Sequence, residues 1–161
     1  MARSYEDYIE YLNDTIQIPN EQPYLAIDLS AGCGGLSLGF EAAGINTIGY
    51  EMVEECCLSY RHNLHSECNQ EKITTETTFP QVDIIIGGPP CQPFSRRGKQ
   101  TGKDDERNGF PAFIEAVRRI QPQIWVCENV KGLPEQNKEY FDSIMEQFRS
   151  LGYEVEYQVF Q

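Results

Sequence analysis

Basic side chains are scarce in this chain: 13 Lys and Arg stand against 25 Asp and Glu, a formal charge of −12. A body of that sign repels a polyanion, which argues against a free-standing nucleic-acid binder. Long apolar runs are missing as well, and none approaches the roughly 20 residues that a membrane-spanning helix needs, so no membrane partner is expected. The six cysteines (Cys33, Cys56, Cys57, Cys68, Cys91, Cys127) form no CxxC pair, and no secretory signal precedes them. They read as reduced thiols of an intracellular protein, cytoplasmic or nuclear. Repeats and low-complexity segments are also absent. What remains, in 161 residues, is enough for one domain with a substantial core that needs neither disulfides nor metal.

Residues 1–23 place Tyr5, Tyr8, Ile9, Leu12 and Ile16 at helical spacing and end in Ile18-Pro19-Asn20-Glu21-Gln22-Pro23. This predicts a short amphipathic helix and linker ahead of a domain over 24–161. From there strands and helices alternate. Tyr24 to Leu29 reads as a strand, Leu36 to Ala43 as a helix with Gly44 as its C-cap, and Asn46 to Tyr50 as a strand tipped by Glu51. Met52 to Asn63 reads as a helix, Ile73 as a brief strand in an irregular stretch, and Val82 to Ile86 as a central parallel strand. Phe110 to Ile120 is a helix with Pro111 in its first turn, and Gln123 to Cys127 a further strand. A turn over Lys131 to Pro134, a helix from Lys138 to Leu151 and an alternating strand from Tyr153 to Phe160 complete the pattern. The expected fold is α/β, a largely parallel doubly wound sheet whose ligands lie beyond the carboxyl ends of its strands.

The chemistry gathers at those ends. Ser30-Ala31-Gly32-Cys33-Gly34-Gly35 is a small-residue turn between strand and helix, and Glu51 ends the next strand. Glycines let a ligand approach the backbone, and a carboxylate accepts from ribose hydroxyls. Ser37 holds the third glycine position of the dinucleotide fingerprint, and the crowded turn lacks the open amides of a pyrophosphate site. An adenosine ligand without pyrophosphate fits better than NAD, and S-adenosylmethionine (AdoMet) is the obvious one.

The strand Val82 to Ile86 runs into Gly87-Gly88-Pro89-Pro90, which turns the backbone rigidly before Cys91. Cys91 reads either as a nucleophile, activated as thiolate among Gln92, Ser95, Arg96 and Arg97, or as a small buried residue packed under the loop. Arg96, Arg97, Lys99 and Lys103 form a local basic cluster that can meet phosphate or remain a solvated loop. The segment 96–108 has little apolar content and reads as a mobile lid. Glu128 ends the later strand. His62, His65 and Cys68 recur at intervals of three beside Cys56 and Cys57, but they match no closed four-ligand pattern. A helix end and loop is the favoured reading there, and no metal is expected.

With Gly88-Pro89-Pro90-Cys91-Gln92-Pro93-Phe94-Ser95, Glu128-Asn129-Val130, Asp28-Leu29-Ser30-Ala31-Gly32-Cys33-Gly34-Gly35 and Glu51 in place, the chain resembles the DNA (cytosine-5) methyltransferases from Leu25 to Phe160. The resemblance implies a Rossmann-like AdoMet-dependent fold in which Cys91 adds to carbon 6 of a flipped-out cytosine and Glu128 contacts its N3 and amino group. Gln92 and the basic loop would close over the base, with Ser95, Arg96, Arg97, Asn129 and Val130 around it and Arg107 bracing the closed loop. Ser30 to Gly35 would line the methionine part of AdoMet, Glu51 would bind the ribose, Met52 and Ile73 would flank adenine, and Pro90 would wall the cofactor from the base.

Ser30 stands where the family usually has Phe, and Lys72-Ile73 where Asp-Ile is common. Family members also continue into a Gln-x-Arg-x-Arg segment, a target-recognition domain and a closing helix. The resemblance therefore implies a fold incomplete at its C-terminus, in a truncated piece or one subunit of a split enzyme. Duplex DNA and a complementary C-terminal part are the expected partners. A tRNA cytosine-5 methyltransferase and a non-catalytic regulatory module of the same fold are the alternatives, and an amino-group methyltransferase fits poorly because it needs no thiol beside the Pro-Pro turn.

Overall fold

The computed structural model describes residues 23–64, 66–90 and 108–160, with positions 11, 14, 16, 18 and 19 before them. The helix and linker expected over 1–23 lie mostly outside the described residues. The strands are β1 (Tyr24–Leu29), β2 (Ile45–Glu51), β3 (Cys68–Gln70), β4 (Ile84–Gly87) and β5 (Ile124–Cys127). They form one sheet in the order β3-β2-β1-β4-β5, with every neighbouring pair parallel. The helices are α1 (Gly35–Ala42), α2 (Glu54–Asn63), α3 (Phe110–Ile120), α4 (Gly132–Gln136) and α5 (Lys138–Ser150).

The continuous apolar runs of β1 and β4 are explained by burial on both faces. Ala26, Ile84 and Ile86 face one way, under Leu36 and Phe40 of α1. Ile27, Leu29 and Ile85 face the other way, into the main core with Phe113 and Val117 of α3 and Phe148 of α5. Register locks these layers together, since Ile27 pairs with Ile48 on one side and Ile85 on the other. α3 buries Phe110, Phe113, Ala116, Val117 and Ile120, a stripe at helical spacing, and its start at Phe110 with Pro111 in the first turn is the one expected. Gly44 adopts the left-handed conformation of a helix C-cap, with φ +84°.

Three elements differ from the sequence reading. The strand expected at Ile73 lies earlier, at Cys68–Gln70, because its partner β2 ends at Glu51: Gln70 pairs with Glu51, and Glu71 N–H donates to the Glu51 carbonyl as the ladder runs out. Ile73 instead packs half-buried against the core. Lys131 to Pro134, read as a turn, leads into the short helix α4, where Pro134 is tolerated because first-turn N–H groups have no helical partner. Tyr153 to Phe160 forms no strand. Its alternation is real, with Tyr153 and Val155 half-buried and Glu154 and Glu156 exposed, but it is held by side chains. Tyr153 packs edge-on to Trp125 and donates to the Pro122 carbonyl at 2.7 Å, and Tyr157 packs on Phe141 of α5. Alternating burial reports one covered side; it does not by itself require a hydrogen-bonded neighbour strand.

Candidate active site

The order β3-β2-β1-β4-β5 places its reversal of winding between β1 and β4, the position at which open α/β sheets bind ligands. Strand tips spaced by about 4.8 Å put the ends of β1, β4 and β5 in a row roughly 10 Å long. The turn after β1, the glycine-proline loop after β4 and Glu128 after β5 all open on this edge.

Glu51 organises the β1 side. Its Oε2 accepts from Gly32 N–H at 3.0 Å and its Oε1 from Val53 N–H at 2.9 Å, so one carboxylate ties the turn after β1 to the start of α2. Two lone pairs remain to accept from a ligand. Ser30 and Ala31 donate their N–H groups to the Tyr50 carbonyl at 3.0 and 3.1 Å, which holds Ser30 at φ +65°, a left-handed conformation that strains a residue with a side chain. Gly34 has φ +90°, and a Cβ there would stand 2.5 Å from Leu64 Cδ1, so the turn is seated directly on α2. A Cβ at Gly32 or Gly35 would meet nothing within 4 Å. The turn thus has one packed side and one open side beside a carboxylate, which suits a small nucleoside ligand such as AdoMet. Met52 is exposed next to it, and Ile73 lies half-buried beyond β3.

Beneath the turn runs a buried polar chain that the sequence reading did not anticipate. Ser37 of α1 donates to Asp28 Oδ2 at 2.7 Å, Tyr60 donates to Ser37 at 2.9 Å, Thr47 lies 2.9 Å from the Tyr60 hydroxyl, and Thr47 donates to Glu41 at 2.8 Å. Ser66 also donates to Glu41. Burial pushes the Asp28 carboxyl up to about 6, against the opposing bonds from Ser37 and with a further push from the Glu51 charge. When Asp28 is ionised, three hydroxyl protons serve the four oxygen–oxygen links from Asp28 to Glu41; protonation supplies the fourth. The available signal was an aspartate inside the apolar run Leu25-Ala26-Ile27-Asp28-Leu29. Ser37, read only as a missing glycine, is the residue that joins this aspartate to the first turn of α1.

On the other side, the tips of β4 and β5 are fastened to each other. Glu128 N–H donates to the Gly87 carbonyl at 2.9 Å, and Asn129 Nδ2 donates to the Pro89 carbonyl at 2.9 Å. Asn129 Oδ1 accepts from Val130 N–H at 2.9 Å, which fixes the amide's orientation. The Glu128 carboxylate is exposed and lies over the β4 exit, where a Cβ at Gly88 would be 3.3 Å from Oε2. Gly109 N–H donates to the Pro90 carbonyl at 2.9 Å, so the chain leaves at Pro90 and returns at Gly109 side by side. Asn108 anchors the return, accepting from Phe110 N–H at 3.2 Å and donating to the Tyr140 hydroxyl at 2.6 Å.

The described residues therefore bring Ser30 to Gly35, Glu51, Pro90, Glu128, Asn129 and Val130 to one edge of the sheet. Cys91, Gln92, Ser95, Arg96, Arg97 and Arg107, and the lid expected over 96–108 up to its last residue, lie outside the described residues. His65 lies outside them too, and among the described residues no cluster of three or more His, Cys, Asp or Glu is arranged to hold a metal.

Comparison with known proteins points the same way as this geometry. Residues 24–161 match the family described as C-5 cytosine-specific DNA methylase. The Type II methyltransferase M.AplI of Arthrospira platensis is 42% identical over 152 residues, covering 92% of this chain and 44% of that protein. M.AquIA of Picosynechococcus is 38% identical over 120 residues, covering 66% of this chain and 48% of the relative. The chain spans less than half the length of these curated relatives. Among solved structures, a methyltransferase from Pyrococcus furiosus superposes with a TM-score of 0.58 at 18% identity, over 94% of this chain and 73% of that one. A precorrin-6y C5,15-methyltransferase from Geobacter metallireducens gives 0.54 at 17% identity, over 96% and 75%. At such identities these structures share the fold alone. From residue 24 onward, the chain belongs to the C-5 cytosine-specific DNA methylase family.

Proposed function

We propose that this chain is the catalytic, cofactor-binding part of a DNA cytosine-5 methyltransferase, acting with a complementary C-terminal part on a specific cytosine in duplex DNA. One observation carries the reading: Asn129 holds the Pro89 carbonyl while the Glu128 carboxylate overhangs Gly88, so the loop that leads to Cys91 starts directly beside Glu128. AdoMet, held by the turn 30–35 and Glu51, supplies an electrophilic methyl carbon. Carbon 5 of cytosine is a poor nucleophile, and the protein's task is to make it a better one. The Cys91 thiolate adds to carbon 6, and the ring electrons move toward carbon 5 as an enamine. Glu128 holds a proton at N3 and accepts from the amino group, which stabilises the adduct. Once carbon 5 has taken the methyl group, with S-adenosylhomocysteine as the leaving group, loss of the carbon 5 proton to a base expels the thiolate and restores the aromatic ring. Both faces of a stacked base are covered, so the cytosine must leave the duplex first.

The need for a second part is supported by the open side of β5. Ile124 and Val126 are 56% and 38% exposed on an edge strand, and exposed apolar edges invite a covering polypeptide. The net charge of −12 also leaves most DNA contact to a partner surface.

The test is covalent trapping. The chain, combined with a candidate C-terminal part carrying a target-recognition domain, is incubated with AdoMet and duplex DNA carrying 5-fluorocytosine. A denaturation-resistant protein–DNA adduct is expected, and it is expected to vanish in Cys91→Ala. An adduct that persists in Cys91→Ala ends the nucleophile assignment, and transfer to tRNA but not to DNA ends the substrate assignment.

A further inference from the structure

Pro89 and Pro90 lead the chain out of β4, and neither has an N–H, so hydrogen bonds can fix this backbone only through its carbonyls. Two different elements take them. Asn129 Nδ2, just past β5, donates to the Pro89 carbonyl at 2.9 Å, and Gly109 N–H, at the start of α3, donates to the Pro90 carbonyl at 2.9 Å. The second contact is close at the ring as well: a Cβ at Gly109 would lie 2.5 Å from Pro90 Cδ and 3.0 Å from Pro89 Cβ. Gly109 has φ −82°, an angle open to any residue, so this close approach and not the backbone conformation calls for glycine. The residues on either side of Gly109 are both tied to Tyr140. Phe110 is buried and packs edge-on to the Tyr140 ring, with centroids 6.1 Å apart. Asn108 Oδ1 accepts from Phe110 N–H at 3.2 Å, and its Nδ2 donates to the Tyr140 hydroxyl at 2.6 Å. Tyr140 sits in the first turn of α5, which Ile144 and Phe148 anchor in the main core.

We propose that Tyr140 is a positioning residue for the nucleophile: through Asn108 and Gly109 it sets the plane of the peptide between Pro90 and Cys91, and so aims the thiol at the base. This rests on the reading of Cys91 as the nucleophile. Cys91 itself lies outside the described residues, and the constraint reaches it through covalent geometry. A peptide unit is planar, so the Pro90 oxygen that Gly109 holds shares its plane with the Cys91 nitrogen and Cα. Asn129 fixes the preceding carbonyl beside Glu128, and the Tyr140 tether fixes the next one from α5. The thiol and the Glu128 carboxylate thus take their relative placement from two clamps on successive carbonyls. Addition to carbon 6 needs the sulfur in line with that atom, and an error of about 1 Å in such a step can cost on the order of a hundredfold in rate.

Tyr140→Phe keeps the ring against Phe110 and removes only the hydroxyl. The chain and a candidate C-terminal part carrying a target-recognition domain are mixed with saturating AdoMet and 5-fluorocytosine duplex, and the rate of adduct formation is followed. That rate should fall by about ten- to a hundredfold in Tyr140→Phe, with AdoMet affinity unchanged. Asn108→Ala should slow it likewise. In Asn108→Asp the carboxylate accepts from the Tyr140 hydroxyl, so most of the rate should return, and that recovery should be lost when Tyr140→Phe is added. Tyr153→Phe, which gives up a comparable hydroxyl bond to the Pro122 carbonyl on the same core, should react at the parent rate. In the chain alone, hydrogen exchange of the Gly109 amide, read by NMR, should quicken about tenfold in Tyr140→Phe. An unchanged adduct rate in Tyr140→Phe overturns the proposal, as does unchanged exchange at Gly109 or an equal slowing in Tyr153→Phe. A parent that forms no adduct ends the nucleophile reading and the aiming role with it, whereas a parent that reacts and a Tyr140→Phe that reacts equally fast end the aiming role alone.

Discussion

Glu128 and Asp28 are two carboxylates on the same sheet with opposite surroundings, and the difference assigns their work. Glu128 is exposed at the tip of β5, where the proposed function has it meet the base, and its removal should leave the fold intact. In Glu128→Gln, assayed with the complementary part present, methyl transfer should fall by about 10²- to 10⁴-fold with AdoMet affinity unchanged, the loss typical for a positioned general acid or base. Asp28 is buried under the turn after β1, and its carboxyl, pushed up to about 6 from 3.8, binds a proton more tightly in the folded chain than in the unfolded one. Its contribution to stability is therefore complete below about pH 4 and declines as pH rises through 6, by about 3 kcal/mol in all. Asp28→Asn supplies a permanent donor to Ser37 and cannot ionise. Urea unfolding from pH 4 to pH 7.5 should show that part of the slope in the parent chain and not in the variant. Glu128 could be read from the sequence because it ends an apolar strand. The chain from Asp28 to Glu41 could not, because its links cross from β1 to α1 to α2 to β2 and no local pattern encodes them.

Among the elements, β4 is the shortest path between core and chemistry. Ile84 to Ile86 are buried against both helical layers, and the strand then gives way at Gly87, whose backbone passes so close to β1 that an added Cβ would lie 2.2 Å from the Leu29 carbonyl oxygen. Backbone on both sides leaves nothing free to move aside. Gly87→Ala should cost at least about 3 kcal/mol, the upper range for overpacking a tight site, seen as a lower thermal midpoint. Two of the three differences between expected and observed elements arise from what lies alongside. β3 begins where β2 offers free backbone groups, not at the apolar Ile73. In the segment 153–160, Tyr153 and Tyr157 pack their rings on Trp125 and Phe141, and no strand forms. The helices were more legible: α3 and α5 bury apolar stripes at helical spacing, which is a property of the segment itself.

For the molecule as a whole, the sheet is covered on the face of the main core and left open at β5 on the opposite face, among the described residues. β5 has helices over Trp125 and Cys127 but leaves Ile124 and Val126 to solvent. If the complementary part covers this face, the double variant Ile124→Lys, Val126→Lys should abolish reconstituted methylation by about tenfold or more while leaving AdoMet binding and the thermal midpoint of the isolated chain nearly unchanged. Equal activity of parent and variant after mixing would place the contact elsewhere. The acidic charge predicts in addition that the isolated chain binds duplex DNA weakly, although Arg96, Arg97, Lys99 and Lys103 cluster in the sequence after Cys91.

Taken alone, the sequence determined most of the succession of strands and helices, the segments around β3, α4 and 153–160 excepted, because burial periodicity and turn chemistry are properties of neighbouring residues. It thereby placed Ser30 to Gly35, Glu51 and Glu128 at strand tips. Tertiary structure alone decided that the winding reverses between β1 and β4, that Asn129 grips a proline carbonyl 40 residues away, and that the alternating segment 153–160 forms no strand. Those outcomes depend on which edges and faces remain to be buried once the rest of the chain has packed, and no local stretch contains that information.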